Sequence, residues 1–134
     1  MKEHPGKTMD ELLQPFREMA MFEDCELTSP ETTCPWGDAP VHVAAYDNDV
    51  EALRAFLPFV RDLNIKGELR LTPLHSAILN GSVEAAEMLI AAGADVECMN
   101  HLDENALTMM AGKPAFIAMA RKHGLQVSER DEGE

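Results

Sequence analysis

The chain has 134 residues, of which 46% are hydrophobic and 26% charged, so it is long enough for one compact domain with a hydrophobic core and too short for two. Its 24 acidic residues outnumber its 11 basic ones and give a formal charge of −13, which argues against binding to nucleic acid or to an anionic membrane. A basic partner fits this charge, although acidity that serves only solubility explains it equally well.

The sequence contains neither a membrane span nor a signal peptide. No stretch is long and apolar enough to cross a bilayer, and the first residues, MKEHPGKTMDELL, lack the apolar core of a signal peptide. We therefore expect a cytoplasmic protein and take a monomer as its default state. The three cysteines, Cys25, Cys34 and Cys98, are odd in number and form no CxxC motif, so we expect reduced thiols.

Residues 1–37 are predicted to form a helical N-terminal cap followed by a loop. Thr8 and Glu11 have the spacing of a capping box, and Pro15 either kinks the helix or starts a second one. The stretch TSPETTCPWG at residues 28–37 is rich in turn-forming residues and predicts the loop. Apolar residues at helical spacing indicate the cap helices: Leu12, Leu13, Phe16, Met19, Ala20 and Phe22.

The rest of the sequence repeats with a period of 33 residues. Residues 39–64 align with residues 72–97 without a gap, and the identical pairs include His42 with His75 and Asp62 with Asp95. A fixed period of this size is typical of a solenoid. A third, degenerate copy follows, so the predicted repeats are residues 38–70, 71–103 and 104–127, and the acidic tail, residues 128–134, is expected to be disordered.

Each repeat is predicted to consist of two short helices joined by a turn. In the middle repeat, Thr72 is the expected N-cap of the first helix and Gly81 breaks that helix. Ser82 is the expected N-cap of the second helix, and Gly93 closes it in the left-handed conformation. The sequence therefore predicts a helix, turn, helix and loop in every copy.

The first repeat departs from this pattern at two positions. Asn48 stands where the middle repeat has Gly81, and Val60 stands where it has Gly93. Asparagine tolerates a left-handed backbone better than most residues, whereas valine does not. We therefore expect the second helix of the first repeat to end in a different way.

The middle repeat resembles an ankyrin repeat. The resemblance rests on TPLH at residues 72–75, NGSVE at residues 80–84 and LIAAGADVE at residues 89–97, all at the expected spacing. It implies an all-α solenoid of stacked helix-turn-helix units with hairpin-like loops, no cofactor, and a role in protein–protein binding.

His42 and His75 are the most obvious candidates for chemistry. Equivalent positions of stacked helical repeats lie about 8–10 Å apart, whereas zinc holds each histidine nitrogen at about 2.1 Å, so the two cannot share one ion. Each is predicted to be structural, bonding the backbone or the Thr72 hydroxyl at its own helix start and bridging to the next loop.

No other group of residues predicts an enzyme. Acidic residues surround Cys25 and Cys34 and favour the protonated, unreactive thiol. The acidic run Asp47, Asp49 and Glu51 has no EF-hand register and fits a solvated face. The sequence also has no nucleophile elbow, P-loop or HExxH motif.

A partner is predicted to bind where the repeat leaves residues free, on the concave face made by the loop tips and the ends of the inner helices. The single Trp and the single Tyr both fall there, with leucines between them and carboxylates at the rim. Trp36 has a second interpretation, which is packing into the N-terminal cap. The predicted partner-binding residues are Trp36, Asp38, Tyr46, Asp47, Glu68, Leu69, Leu71, Leu79, Asn80, His101, Leu102 and Glu104.

These observations lead to one main hypothesis and two alternatives. The main one is a non-enzymatic module that binds a basic protein, acting as a stoichiometric inhibitor, and by resemblance alone as an immunity protein against a bacterial toxin. The first alternative is a regulatory adaptor, scaffold or effector that binds a signalling protein. The second is a thiol-dependent or metal enzyme.

Overall fold

The computed structural model describes residues 8–23, 25–33 and 37–127. Trp36, Cys34 and the predicted acidic tail lie outside these residues. Among the described helices, none is both long and apolar enough to cross a membrane. The described residues form three 3-10 turns, at Ala20–Phe22, Leu57–Phe59 and Glu68–Arg70, and seven helices without a strand: α1 (Met9–Arg17), α2 (Pro40–Tyr46), α3 (Val50–Phe56), α4 (Pro73–Leu79), α5 (Val83–Ala91), α6 (Ala106–Met110) and α7 (Pro114–Lys122).

The helix α1 starts at the predicted capping box. The Glu11 amide donates to Thr8 Oγ1 at 3.1 Å, and the Thr8 amide donates to Glu11 Oε1 at 2.9 Å. The helix then continues through Pro15 to Arg17. Its buried Phe16 ring lies 5.3 Å from the ring of Phe56, so α1 covers the N-terminal end of the helix stack.

The remaining helices pack in three consecutive pairs, α2 with α3, α4 with α5, and α6 with α7. The inner helices α2, α4 and α6 stack in one row, and the outer helices α3, α5 and α7 stack behind them. Small residues let packed helices approach closely, and Ala44, Ala77 and Ala86 of these helices are fully buried. Larger side chains of the outer helices, such as Leu53 and Leu89, are fully buried as well. The predicted all-α solenoid is thus confirmed.

The second helix of the middle repeat starts at the predicted N-cap residue, but that residue does not supply the capping hydrogen bond. Ser82 is the N-cap of α5, and its hydroxyl donates to the Tyr46 carbonyl at 2.7 Å instead of accepting from an amide of the helix. The cap comes from the preceding repeat, where Asn48 Oδ1 accepts from the Ala85 amide at 2.9 Å. The left-handed backbone of Asn48, with φ of 57°, directs its side chain across the repeat boundary. The prediction that Ser82 is the N-cap residue is therefore confirmed for its position, but the capping hydrogen bond comes from Asn48.

The second helix of the first repeat ends differently from its counterpart, as predicted. The helix α3 stops at Phe56 and passes through a 3-10 turn that contains Pro58. Val60 follows in an extended conformation with φ of −92°, whereas Gly93 has φ of +105°. A β-branched residue is thus kept out of the left-handed region.

The cysteines differ from the expectation of reduced thiols. Cys25 is disulfide-bonded, whereas Cys98 is free. Burial raises the pKa of the Cys98 thiol, and the neighbouring Asp95 carboxylate raises it further, so this thiol stays protonated near neutral pH. The prediction of reduced cysteines is therefore wrong for Cys25.

Candidate functional site

The two repeated histidines bind backbone groups with both ring nitrogens. In the first repeat, the Ala39 amide donates to His42 Nδ1 at 2.9 Å, which leaves the ring hydrogen of the neutral imidazole on Nε2. That nitrogen donates to the Ile65 carbonyl at 3.0 Å. Together the two contacts join the start of α2 to the loop that begins at Ile65.

His75 repeats this arrangement one period later. Its Nδ1 accepts from the Thr72 amide at 2.9 Å, and its Nε2 donates to the Cys98 carbonyl at 3.1 Å. The imidazoles of His42 and His75 are each 1% exposed. The predicted structural role of both histidines is confirmed, because neither nitrogen of either ring is left for a substrate or a metal.

Burial lowers the pKa of both imidazoles. Asp38 opposes this effect at His42, and the Cys98 carbonyl opposes it at His75. Both rings are therefore neutral at pH 7, which is the state that their hydrogen bonds require. Uncharged, buried and fully bonded imidazoles support the fold rather than proton transfer.

The histidines hold two neighbouring loops, residues 65–71 and 98–104, whose main chains are also bonded to each other. The Leu69 carbonyl accepts from the His101 amide at 3.0 Å and from His101 Nδ1 at 3.2 Å. Within the second loop, Asn100 Oδ1 accepts from the amides of Leu102 and Glu104 at 2.8 and 3.1 Å. The polar backbone of both loops is thus satisfied inside the fold.

Leu69 and Leu102 form an exposed apolar pair on these loops, which we call the loop-tip pair. Leu69 is 53% exposed and Leu102 is 63% exposed. The His101 bond to Leu69 places the two leucines on adjacent tips, because Leu102 follows His101 directly. Neither side chain belongs to the hydrophobic core or packs against it, so burial does not explain why both residues are apolar.

Tyr46 and Leu79 form a second exposed apolar pair, at the ends of α2 and α4, which we call the helix-end pair. Tyr46 is 45% exposed and Leu79 is 56% exposed. Asn80 links the two helix ends, because its Nδ2 donates to the Tyr46 carbonyl at 2.8 Å. The backbone is therefore fixed here while the two apolar side chains remain at the surface.

The structure separates the predicted binding residues into two groups. Asp38, Asn80, His101 and Glu104 use side-chain groups inside the fold; Asp38 Oδ1, for example, accepts from the Glu68 amide at 3.0 Å. Leu71 is half-buried, and its carbonyl accepts from the Gly67 amide at 2.7 Å. Trp36 lies outside the described residues. The predicted residues whose side chains remain available at the surface are Tyr46, Asp47, Glu68, Leu69, Leu79 and Leu102.

Two exposed apolar residues were missed by the sequence reasoning. Met99 is 41% exposed and lies in the second loop, two residues before the predicted His101. Its place in a loop already predicted to bind could have indicated it. Phe59 is 56% exposed and follows the outer helix α3, away from the inner helices, and no repeat position predicted it.

The predicted surface presents exposed apolar side chains with exposed carboxylates beside them. Within the described part of the chain, no group of three or more His, Cys, Asp or Glu residues is close enough to hold a metal ion. An open cavity of about 440 Å³ lies near the C-terminal end and is lined by residues 121 and 124–127. None of the predicted binding residues lines it.

Known proteins resemble this chain in the same region. A family model described as ankyrin repeats (3 copies) matches residues 4–100. Protein phosphatase 1 regulatory subunit 27 of Mus musculus is 29% identical over 83 residues, which are 62% of this chain and 54% of that protein. The B-cell lymphoma 3 protein homolog of Mus musculus is 28% identical over 75 residues, 53% of this chain and 17% of that protein. This chain therefore spans about half the length of the first relative and far less of the second.

Proposed function

Because this chain belongs to the ankyrin repeat family, whose repeats are protein–protein interaction modules, we propose that it binds one basic protein partner through its concave face. The observation that carries this proposal is the position of four large apolar side chains, which are exposed where the fold does not need them. They are the helix-end pair, Tyr46 and Leu79, and the loop-tip pair, Leu69 and Leu102.

The apolar residues supply the binding energy in this proposal. The backbone beneath them is held by His42, His75 and Asn80, so the side chains themselves have no bonding role in the fold. Exposed apolar clusters rimmed by polar residues are typical of protein interfaces, and tyrosine is enriched among the residues that dominate binding. We expect Tyr46 to be the most sensitive position of the helix-end pair.

The charge of the chain supports a basic partner. Asp47 follows Tyr46 and Glu68 precedes Leu69, and both carboxylates belong to exposed residues. Neither forms an ion pair with any described residue. Together with the formal charge of −13, they would attract a positively charged protein and speed its association.

The simplest role for such a module is stoichiometric inhibition of its partner. An immunity protein that neutralises a bacterial toxin is one form of this role. The likeness to a protein named as a phosphatase regulatory subunit favours the alternative, a regulatory adaptor for a signalling protein. In either role the chain is a monomer that acts by binding rather than by catalysis.

The location of the protein stays a prediction. The sequence predicts the cytoplasm, but the disulfide at Cys25 weighs against a reducing compartment, where structural disulfides are rare. Fractionation of cells that produce the protein, with the thiols blocked at lysis, would test both points together.

The proposed function is tested by capture followed by reconstitution. Proteins retained from a cell extract by the immobilised wild-type chain, but not by its Tyr46→Ala variant, are purified one at a time and titrated by calorimetry. We expect a basic protein that binds at one to one, and an affinity that falls about tenfold or more on Tyr46→Ala or Leu79→Ala.

The matched control is Phe59→Ala, which removes an equally exposed apolar side chain from the outer side of the stack. It should leave the affinity unchanged, and all variants should keep the wild-type circular dichroism spectrum. An acidic partner, no retained partner, or an affinity that depends on Phe59 but not on Tyr46 would contradict the proposal. Loss of the partner's own activity at equimolar protein separates an inhibitor from an adaptor.

A further inference from the structure

The loop of residues 67–71 contains two consecutive residues in the left-handed conformation. Leu69 has φ of 58° and Arg70 has φ of 62°. Residues other than glycine, asparagine and aspartate rarely adopt this conformation, because their Cβ atom crowds the following carbonyl oxygen. A leucine at position 69 is therefore unfavourable for the local backbone.

Main-chain contacts on both sides hold the loop in this shape. The Gly67 amide donates to the Leu71 carbonyl at 2.7 Å, and the Glu68 amide donates to Asp38 Oδ1 at 3.0 Å. From the next loop, the His101 amide donates to the Leu69 carbonyl at 3.0 Å. A strained residue persists where its surroundings determine its conformation in this way. None of these bonds uses the Leu69 side chain, so glycine would fit the same loop.

The same repeat position carries a large apolar residue in all three loops. One period after Leu69 stands Leu102, which is 63% exposed and is followed by the left-handed Asp103, with φ of 61°. One period before it stands Trp36, which lies outside the described residues. At Leu69 neither burial nor backbone conformation favours the side chain, and at Leu102 burial does not favour it. Strain kept at an exposed site is typical of a binding function.

We propose that the loop-tip pair, Leu69 and Leu102, is the anchor of the interface and receives an apolar side chain of the partner that is flanked by lysine or arginine. This inference rests on the proposed function and names the contact that gives it specificity. Glu68 precedes Leu69 and Asp103 follows Leu102, and both are exposed. Together with Glu104 they give the two loops three carboxylates against the two cations Lys66 and Arg70. The tips therefore combine an apolar centre with a negative rim.

Leu69→Gly and Leu69→Asn separate binding from folding. Both residues tolerate the left-handed backbone, so neither variant should melt below the wild type, and the glycine variant is expected to melt up to about 3 °C higher. A residue that served stability would give the opposite result. A clear fall in melting temperature for both variants would therefore overturn the proposal.

Binding is measured with a phage-displayed library of random 12-residue peptides selected in parallel on the wild type, on Leu69→Asn and on Phe59→Ala. The wild type and Phe59→Ala should enrich the same clones, in which an apolar residue is flanked by Lys or Arg. Synthetic peptides of these clones should bind Leu69→Asn about tenfold or more weakly than the wild type. Equal binding to both, or no enriched clone, would overturn the proposal.

The same variants distinguish this inference from the proposed function. If the protein retained from the cell extract loses affinity on Tyr46→Ala but binds Leu69→Asn as tightly as the wild type, the proposed function stands and the anchor is wrong. If Tyr46→Ala and Leu79→Ala have no effect, the proposed function itself fails.

Discussion

At the scale of single residues, each repeated histidine supplies a hydrogen-bond partner to one backbone amide and to one backbone carbonyl of a later loop. His75 joins the Thr72 amide at its own helix start to the Cys98 carbonyl 23 residues later. His42 makes the same connection between Ala39 and Ile65. Because both imidazoles are buried, each lost contact leaves a desolvated backbone group without a partner.

Replacing His75 with alanine should destabilise the protein by about 2–4 kcal/mol, since the Thr72 amide and the Cys98 carbonyl both lose their partner. Urea unfolding followed by circular dichroism measures the change. His101→Ala serves as the control, because this exposed ring bonds a carbonyl that the His101 amide also holds. A similar loss in both variants would show that His75 is not a specific brace.

The same imidazoles make stability depend on pH. Burial places their pKa below the ordinary value of 6.5 in the folded state, so between the folded and unfolded pKa values the unfolded chain binds more protons. The free energy of unfolding should therefore be highest above about pH 6.5 and decrease as the pH falls below it. Asp38 raises the pKa of His42 and so reduces the effect there. At His75, Glu104 raises the pKa and Lys66 lowers it.

This pH dependence can be assigned to His75 by comparing the wild type with His75→Gln in urea at pH 7.5, 6.5 and 5.5. The variant should be less stable at pH 7.5 but lose less stability on acidification, because one titrating group is gone. Parallel curves for the two proteins would show that His75 does not titrate in this range.

At the scale of helices, the repeats stabilise one another through asparagine side chains that cross their boundaries. Asn48 Oδ1 caps α5 through the Ala85 amide, and its Nδ2 donates to Glu84 Oε1 at 2.9 Å. Asn80 reaches back to the Tyr46 carbonyl, and Asn64 Oδ1 accepts from the Asp95 amide at 2.8 Å. The start of a helix in one repeat therefore depends on a residue of the repeat before it.

Asn48→Gly should destabilise the protein by about 1 kcal/mol, since glycine keeps the left-handed backbone but removes the cap of α5. Asn48→Ala should cost more, because alanine adds strain at φ of 57°. Thermal unfolding of both variants, beside Asp47→Ala as a control at the exposed neighbouring position, measures these differences. An equal loss in all three would exclude a capping role.

At the scale of the whole molecule, the helices of the described residues pack mainly against helices of their own and neighbouring units, from α1 to α7. Glu31 Oε2 binds the amides of Arg61 and Asp62 at 2.8 and 2.7 Å, and so joins the loop after the cap to the end of the first repeat. At the other end, Glu87 on α5 binds Lys122 Nζ at 2.8 Å and His123 Nε2 at 2.9 Å. This linear arrangement leaves the inner-helix ends and loop tips of the proposed binding face at the surface of a chain with a formal charge of −13.

Association with the proposed basic partner should be strongly dependent on salt. Between about 0.05 and 0.5 M NaCl we expect the association rate to fall on the order of tenfold and the dissociation rate to change little, because screening acts mainly on diffusional encounter. Stopped-flow fluorescence measures both rates, and the double variant Asp47→Asn, Glu68→Gln should have a shallower salt dependence. An association rate independent of salt would remove the electrostatic part of the proposed function.

The sequence alone determined the helix pairs, their 33-residue period and the structural role of His42 and His75. These features depend on local capping and on motifs that occur in both the first and the middle repeat. It also indicated the loop tips and inner-helix ends as the surface that the fold leaves available. Only the tertiary structure decided that the capping hydrogen bond of α5 comes from Asn48 and not from the N-cap residue Ser82, and that Leu69 has a left-handed backbone. It also decided which polar residues of the predicted site are used inside the fold. Most of these outcomes depend on contacts between residues 30 or more positions apart, such as Asn80 with Tyr46, whose geometry exists only once the repeats have stacked.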